Sequence, residues 1–298
     1  MAARSQTKSP VWTLANLGIK GLVLGVARTV NDCELSGYSA QLAYYFFLSL
    51  FPTLLVLTTA LTDLPMTRQH GMLFAFLAHM LPAQALRLVS ANLATLQHTH
   101  KGGLLSFGAL FALYSAGNAL IAVSAGLNRT FGVPERRPYW RVWLMAMAVT
   151  GALSILLLVA ATLFFFGPRL VLLMAVDLGW NVAPALLDLI RWPVILGALT
   201  EATALIYHFA PDVRQEWHWI TPGAVFSVAG WLASSALFAF YVDHFGSYNR
   251  MYGSIGAVIV LLTWMYLSGW LLLVGGAINA VLAAARKTRP SPATPHGI

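Results

Sequence analysis

From Tyr252 to Ala285 the chain reads YGSIGAVIVLLTWMYLSGWLLLVGGAINAVLAAA, with no Asp, Glu, Lys, Arg or His between Arg250 and Arg286. At about 1.5 Å per residue, a helix of that length is longer than a hydrocarbon core of about 30 Å. The run is therefore expected to span a membrane. Gly276, Ala280 and Ala284 recur every four residues within it. Such a seam lets a neighbouring backbone come close where lipid gives no hydrophobic drive to associate. Asn279 lies beside the seam, placed to hydrogen-bond across it.

Composition extends this reading to the whole chain. Hydrophobic residues make up 58% and charged residues 9% of the sequence, against roughly 25% charged in a soluble domain. The fold class expected is all-α, a polytopic membrane protein with six transmembrane helices. The spans fall at about 39–62, 104–127, 142–168, 192–210, 219–242 and 254–284. Residues 1–36 form a cytoplasmic N-terminus with an interfacial helix, because Lys20 and Arg28 share one face of the apolar stretch from Val11 to Val30. Lys20 also breaks the apolar run that a signal peptide would need. An amphipathic periplasmic hairpin is expected at about 64–101, where Leu86, Val89, Leu93 and Leu96 recur at helical spacing. Residues 286–298 read as a disordered tail.

The net charge of +8 is distributed in loops. Most Lys and Arg fall in the N-terminus, in the loop holding Arg129, Arg136, Arg137 and Arg141, at Arg214, and at Arg286, Lys287 and Arg289. The positive-inside rule then puts both termini in the cytoplasm. Attraction to anionic lipid heads accounts for Arg136, Arg137, Arg141, Arg286 and Lys287 without any nucleic-acid partner.

Three polar features stand out as transport or binding candidates. The fourth span, WPVILGALTEATALIYHF, carries Glu201 near its middle. An acid at that depth costs roughly 2.5 to 3.5 kcal/mol on the insertion scale. Just before this span, Asp188 and Arg191 are three residues apart and can pair on one helical face. The exit from the fifth span, DHFGSYNRMYG, is expected to be a loop holding Asp243, Asn249, Arg250 and Tyr252. The fifth span itself has a packing stripe of Gly223, Ser227 and Gly230.

No catalytic, metal or cofactor site is expected. The single Cys33 forms no CxxC motif. The tip His98-Thr99-His100-Lys101 has its two His at a spacing that does not converge on a helix, with no carboxylate beside them. Metal-dependent phosphodiester cleavage needs a cluster of His and carboxylates, and the eight His are scattered.

The chain resembles the YihY/BrkB family of bacterial inner-membrane proteins over about Gly37 to Ala284. The resemblance rests on AYYFFLSLFP at Ala43 to Pro52, LNRTFGVPERRPYWR at Leu127 to Arg141 and RWP at Arg191 to Pro193. It also rests on the order of Thr221-Pro222-Gly223-Ala224, Tyr248-Asn249, Tyr252-Gly253-Ser254 and Gly276 to Ala280. It implies six spanning helices and a role in the cell envelope. Members have been labelled ribonuclease BN, or virulence and serum-resistance factors, and no established reaction comes with the name. Members often have Glu where this chain has Ile278, so an activity using that acid would here be missing or use Glu201. The leading expectation is a transporter of a small solute or lipid. The alternative is a non-transporting scaffold whose hairpin and exit loop bind a periplasmic protein.

Overall fold

A computed structural model describes residues 18–62, 102–157, 184–213, 215–245 and 248–287. Among these, all regular structure is helical. In chain order the helices are α1 (Gly18–Asp32), α2 (Leu35–Thr62), α3 (Gly102–Thr130), α4 (Tyr139–Leu157), α5 (Pro184–Phe209), α6 (Pro222–Phe245) and α7 (Tyr248–Lys287). The expected hairpin at 64–101, the end of the span at 142–168, the first seventeen residues and the tail beyond Lys287 lie outside the described residues.

Among the described residues, four helical stretches are long and apolar enough to cross a bilayer: Leu110–Thr130, Tyr139–Leu157, Pro222–Tyr241 and Val258–Arg286. Pro193–Phe209 in α5 is a shorter apolar stretch. The 28 residues of α2 contain no Asp, Glu, Lys or Arg. Both α2 and α5 run through an internal proline, Pro52 and Pro193, each of which removes one backbone hydrogen bond from its helix. Large apolar side chains such as Ile155, Leu157, Leu237 and Phe240 point outward, a distribution suited to lipid and not to water. The protein is an all-helical, polytopic membrane protein.

α7 is the centre of the bundle, with α2 and α3 on one side, α6 on another and α1 across its C-terminal part. α5 packs against α6. Leu35 and Leu42 of α2, Leu127 of α3 and Leu273 of α7 are fully buried in the core. The helices approach closely where a side chain is missing. Gly126 lies against Leu273 and Tyr38, and Gly269 against Leu42 and the Ser39 carbonyl. The closest crossing is between α6 and α7: a methyl group added at Gly223 would collide with the Gly275 carbonyl and the Asn279 amide. In the same seam Gly230 lies against Leu271. Gly276 instead faces Leu127 of α3, where a methyl group would again collide, and Ala280 is buried. Further along the α6–α7 seam, the Trp231 indole donates to Ser268 at 3.1 Å and the Trp264 indole to Ser235 at 3.2 Å.

One expectation is corrected. Four residues expected in the exit loop lie in helices instead: Asp243 is in the last turn of α6, and Asn249, Arg250 and Tyr252 are in the first turns of α7. Polar residues end an apolar run, but no Pro or Gly interrupts Tyr248 to Tyr252, so the backbone stays helical past the apolar boundary. α7 is 40 residues long, about 60 Å, so it is longer than the bilayer core is thick.

Candidate functional site

α5 is held at its C-terminal end by side chains from four directions. The Tyr207 phenol, buried at 3% exposure, is in hydrogen-bond contact with the Leu272 carbonyl of α7 and lies 2.7 Å from the Ser227 hydroxyl of α6. Ser227 is also 2.9 Å from the Leu271 carbonyl, so two hydroxyl protons serve three contacts. Hydroxyls beside Gly275 can reach these backbone oxygens because α7 has no side chain there.

α6 begins in the same neighbourhood, and its cap explains the run Thr221-Pro222-Gly223-Ala224. Pro222 occupies the first helical position, where a missing N–H costs nothing. The Thr221 hydroxyl accepts from the Ala224 N–H at 3.2 Å, the usual N-cap bond. The Gly223 N–H donates to the Asn279 side-chain oxygen at 2.9 Å, and the Asn279 amide donates to the Thr221 hydroxyl at 3.1 Å. Asn279 of α7 therefore completes the cap of α6.

The loop after α3 forms a second lashing. α3 ends in a Schellman turn, with Val133 N–H on the Asn128 carbonyl and Gly132 N–H on the Arg129 carbonyl. Gly132 adopts φ of 65°, a conformation that glycine takes at no steric cost. The turn sends Glu135 and Arg137 back toward α5. Arg137 makes a two-pronged pair with Glu135, both contacts at 2.8 Å, and lies 3.9 Å from Asp212. The same guanidinium donates to the Ala210 carbonyl at 2.8 Å, to the Phe209 carbonyl at 3.4 Å and to Ser124 at 3.2 Å. A cation there meets the negative end of the α5 dipole as well as its orphan carbonyls. Asn128 closes the network, donating to Glu135 at 2.9 Å and accepting from the Asp212 N–H at 2.6 Å. The hydrogen bonds from Arg137 hold the Glu135 carboxyl below its ordinary range, and Glu135 pushes the Arg137 guanidinium up. Arg137, read from sequence as a lipid-facing charge, is turned inward with its side chain 20% exposed.

Glu201 lies six residues before Tyr207, about 9 Å along the axis of α5. It is half-buried, and among the described residues no hydrogen bond or ionic partner reaches its carboxylate. Asp188 and Arg191 sit on the N-terminal part of the same helix, three residues apart, and Arg191 is about 15 Å from Glu201 along the axis. The structure thus brings Asn279, Ser227 and Gly223 together, and sets Glu201 apart from them. Asp243, Asn249, Arg250 and Tyr252 belong to the other end of the α6–α7 pair. Tyr207 and the Asn128, Glu135, Arg137 and Asp212 network had no sequence pattern to announce them, since their members come from separate segments. The one local hint is a phenol inside an otherwise apolar span.

Among the described residues no group of three His, Cys, Asp or Glu could hold a metal ion.

Comparison with known proteins agrees with this architecture. Residues 26–296 match the family model described as virulence factor BrkB. The ribonuclease-like protein YfkH of Bacillus subtilis (strain 168) is 39% identical over 254 residues, covering 84% of this chain and 90% of its own length. A UPF0761 membrane protein of Vibrio vulnificus (strain YJ016) is 26% identical, covering 93% of this chain and 87% of its own. Another from Paraburkholderia xenovorans (strain LB400) is 26% identical over 90% of this chain and 61% of its own length. No solved structure matches the chain. A family model covering all but the first 25 and last two residues, carried by a helical bundle whose motifs interlock, shows that this chain belongs to the BrkB family of membrane proteins.

Proposed function

We propose that the protein moves a small solute or lipid across the cytoplasmic membrane, with Glu201 as the group that takes up and releases a proton or contacts the substrate. The observation that carries this reading is the contrast within α5. Tyr207, Ser227 and Asn279 are all engaged in helix-to-helix hydrogen bonds. The Glu201 carboxylate is not, among the described residues. An acid kept in an apolar helix without a partner offsets part of the insertion energy of that helix, and intramembrane acids of this kind mark ion and substrate pathways. The topology supporting the proposal has six crossings with both termini cytoplasmic, as the loop Lys and Arg suggest.

The ribonuclease-like name of the Bacillus relative is not adopted. Metal-assisted phosphodiester cleavage needs converging ligands, and among the described residues no group of three His, Cys, Asp or Glu could supply them.

Purified protein in liposomes tests the proposal with two probes, an internal pH dye under an imposed proton gradient and a fluorescent phospholipid for scrambling. Wild-type protein is expected to pass one of the two, and Glu201→Gln to lower that flux at least about a hundredfold, the scale of an essential proton-transfer group. Equal flux in wild type and variant would remove Glu201 from the mechanism, and no flux of either probe through wild type would favour the scaffold alternative.

A further inference from the structure

The end of the bundle where α3 and α5 finish and α4 and α6 begin gathers basic and aromatic side chains that the transport reading does not use. The Arg136 N–H donates to Asp212 at 3.1 Å, which ties the α3–α4 loop to the α5–α6 connection. Cys33, just after α1, donates to the Arg129 carbonyl, and Gly25 of α1 lies against Val281 of α7. All these segments therefore share one membrane face. On it Trp140 is 60% exposed, Tyr139 71% and Trp219 68%. The Arg141 guanidinium sits 5.1 Å from the Trp140 ring centre. Trp217 packs edge-on against Trp219, which fixes a second aromatic group near the start of α6. The outer side of α1 exposes Ile19, Val23 and Leu24 alongside Lys20 and Arg28.

Charge is divided unequally here. Arg137 takes both nearby carboxylates, Glu135 and Asp212. Arg136 and Arg141 are exposed, and among the described residues neither guanidinium forms an ion pair. Two unneutralised guanidinium groups beside exposed indoles and a phenol at the ends of spanning helices match a phospholipid headgroup. The planar fork bonds phosphate oxygens in pairs, and the rings occupy the glycerol level.

We propose that this face binds anionic phospholipid headgroups, with Arg136 and Arg141 on the phosphate and Tyr139, Trp140 and Trp219 at the interface below it. Soluble phosphate would make no use of the rings. The site stands independently of whether anything is transported.

Native mass spectrometry of the full chain, released from detergent containing phosphatidylglycerol or phosphatidylcholine, tests it. Wild type is expected to retain phosphatidylglycerol in preference to phosphatidylcholine. Arg136→Gln with Arg141→Gln is expected to lower that retention roughly twenty-five-fold, at about fivefold per charge near the surface. The Arg136→Lys, Arg141→Lys pair should keep most of it, and rising salt should strip the lipid from wild type. Equal retention of the two lipids, retention unchanged in the glutamine pair, or retention insensitive to salt would each overturn the assignment. So would binding of a short single-stranded RNA in neutral vesicles that is lost in the same glutamine pair. Were the glutamine pair to misfold, the salt series and lipid preference of the wild type still decide.

Discussion

The last turn of α5 and its middle are a few residues apart, yet they treat polarity in opposite ways. At the last turn the polar groups reach across to neighbours: Tyr207 to α6 and α7, its carbonyl to Gln215, and the Phe209 and Ala210 carbonyls to Arg137 and Ser124. In the middle, Glu201 has no such partner among the described residues. In lipid an unsatisfied polar group costs several kcal/mol, so bonded groups are the ones a bundle uses to hold itself together. A group left unbonded at that cost calls for a role other than cohesion.

The largest effect expected is at the crossing on which the fixed end is built. In Gly223→Val the added methyls would fall on the Gly275 carbonyl and displace Asn279 from the α6 cap. A loss above about 4 kcal/mol is expected, visible as failure to recover monodisperse protein. A well-folded Gly223→Val would mean that α6 and α7 are not seated as described. Next comes Tyr207→Phe, which keeps the ring and deletes one hydroxyl. It leaves the Leu272 carbonyl without its phenol and Ser227 without one bond, and should cost about 1 to 3 kcal/mol in thermal unfolding. Indifference to this change would erase the distinction between the two parts of α5.

A smaller effect concerns acid. Because the hydrogen bonds from Arg137 hold the Glu135 carboxyl below the ordinary glutamate value, the carboxylate is easier to ionise in the folded protein than in the unfolded chain. The stabilisation it provides is complete above that value and is lost as pH falls through the lowered one. Thermal scans from neutral pH to below 4.5 should show a drop in melting temperature that Glu135→Gln shows less of. The same drop in both proteins would place the acid-sensitive contact elsewhere.

How much of this could be read from residues alone follows from where each signal resides. The helical, membrane-embedded class was legible because 34 residues without a charge admit few other fates. Glu201 was conspicuous for the same reason, as a lone carboxylate in an apolar stretch. The lashings were not legible, because Ser124, Asn128, Arg137 and Asp212 meet only once α3 and α5 are packed, and Tyr207 meets Ser227 and the Leu272 carbonyl only once α5, α6 and α7 are. Arg137 was misread as a surface charge since a basic loop next to a span has an ordinary explanation in topology, and nothing local shows that the Gly132 turn folds it inward. Asp243, Asn249, Arg250 and Tyr252 were assigned to a loop for a different reason. Their polarity marks where the apolar run stops, and a helix can continue beyond that point.

The thermal stability of Glu201→Gln, measured beside wild type and Tyr207→Phe in one detergent, bears most directly on the separation of cohesion from function along α5. The account predicts that Glu201→Gln melts within about 0.5 kcal/mol of wild type, or higher, because no bond to any of the described residues is removed. A loss as large as that of Tyr207→Phe would contradict it and make Glu201 one more tie in the bundle.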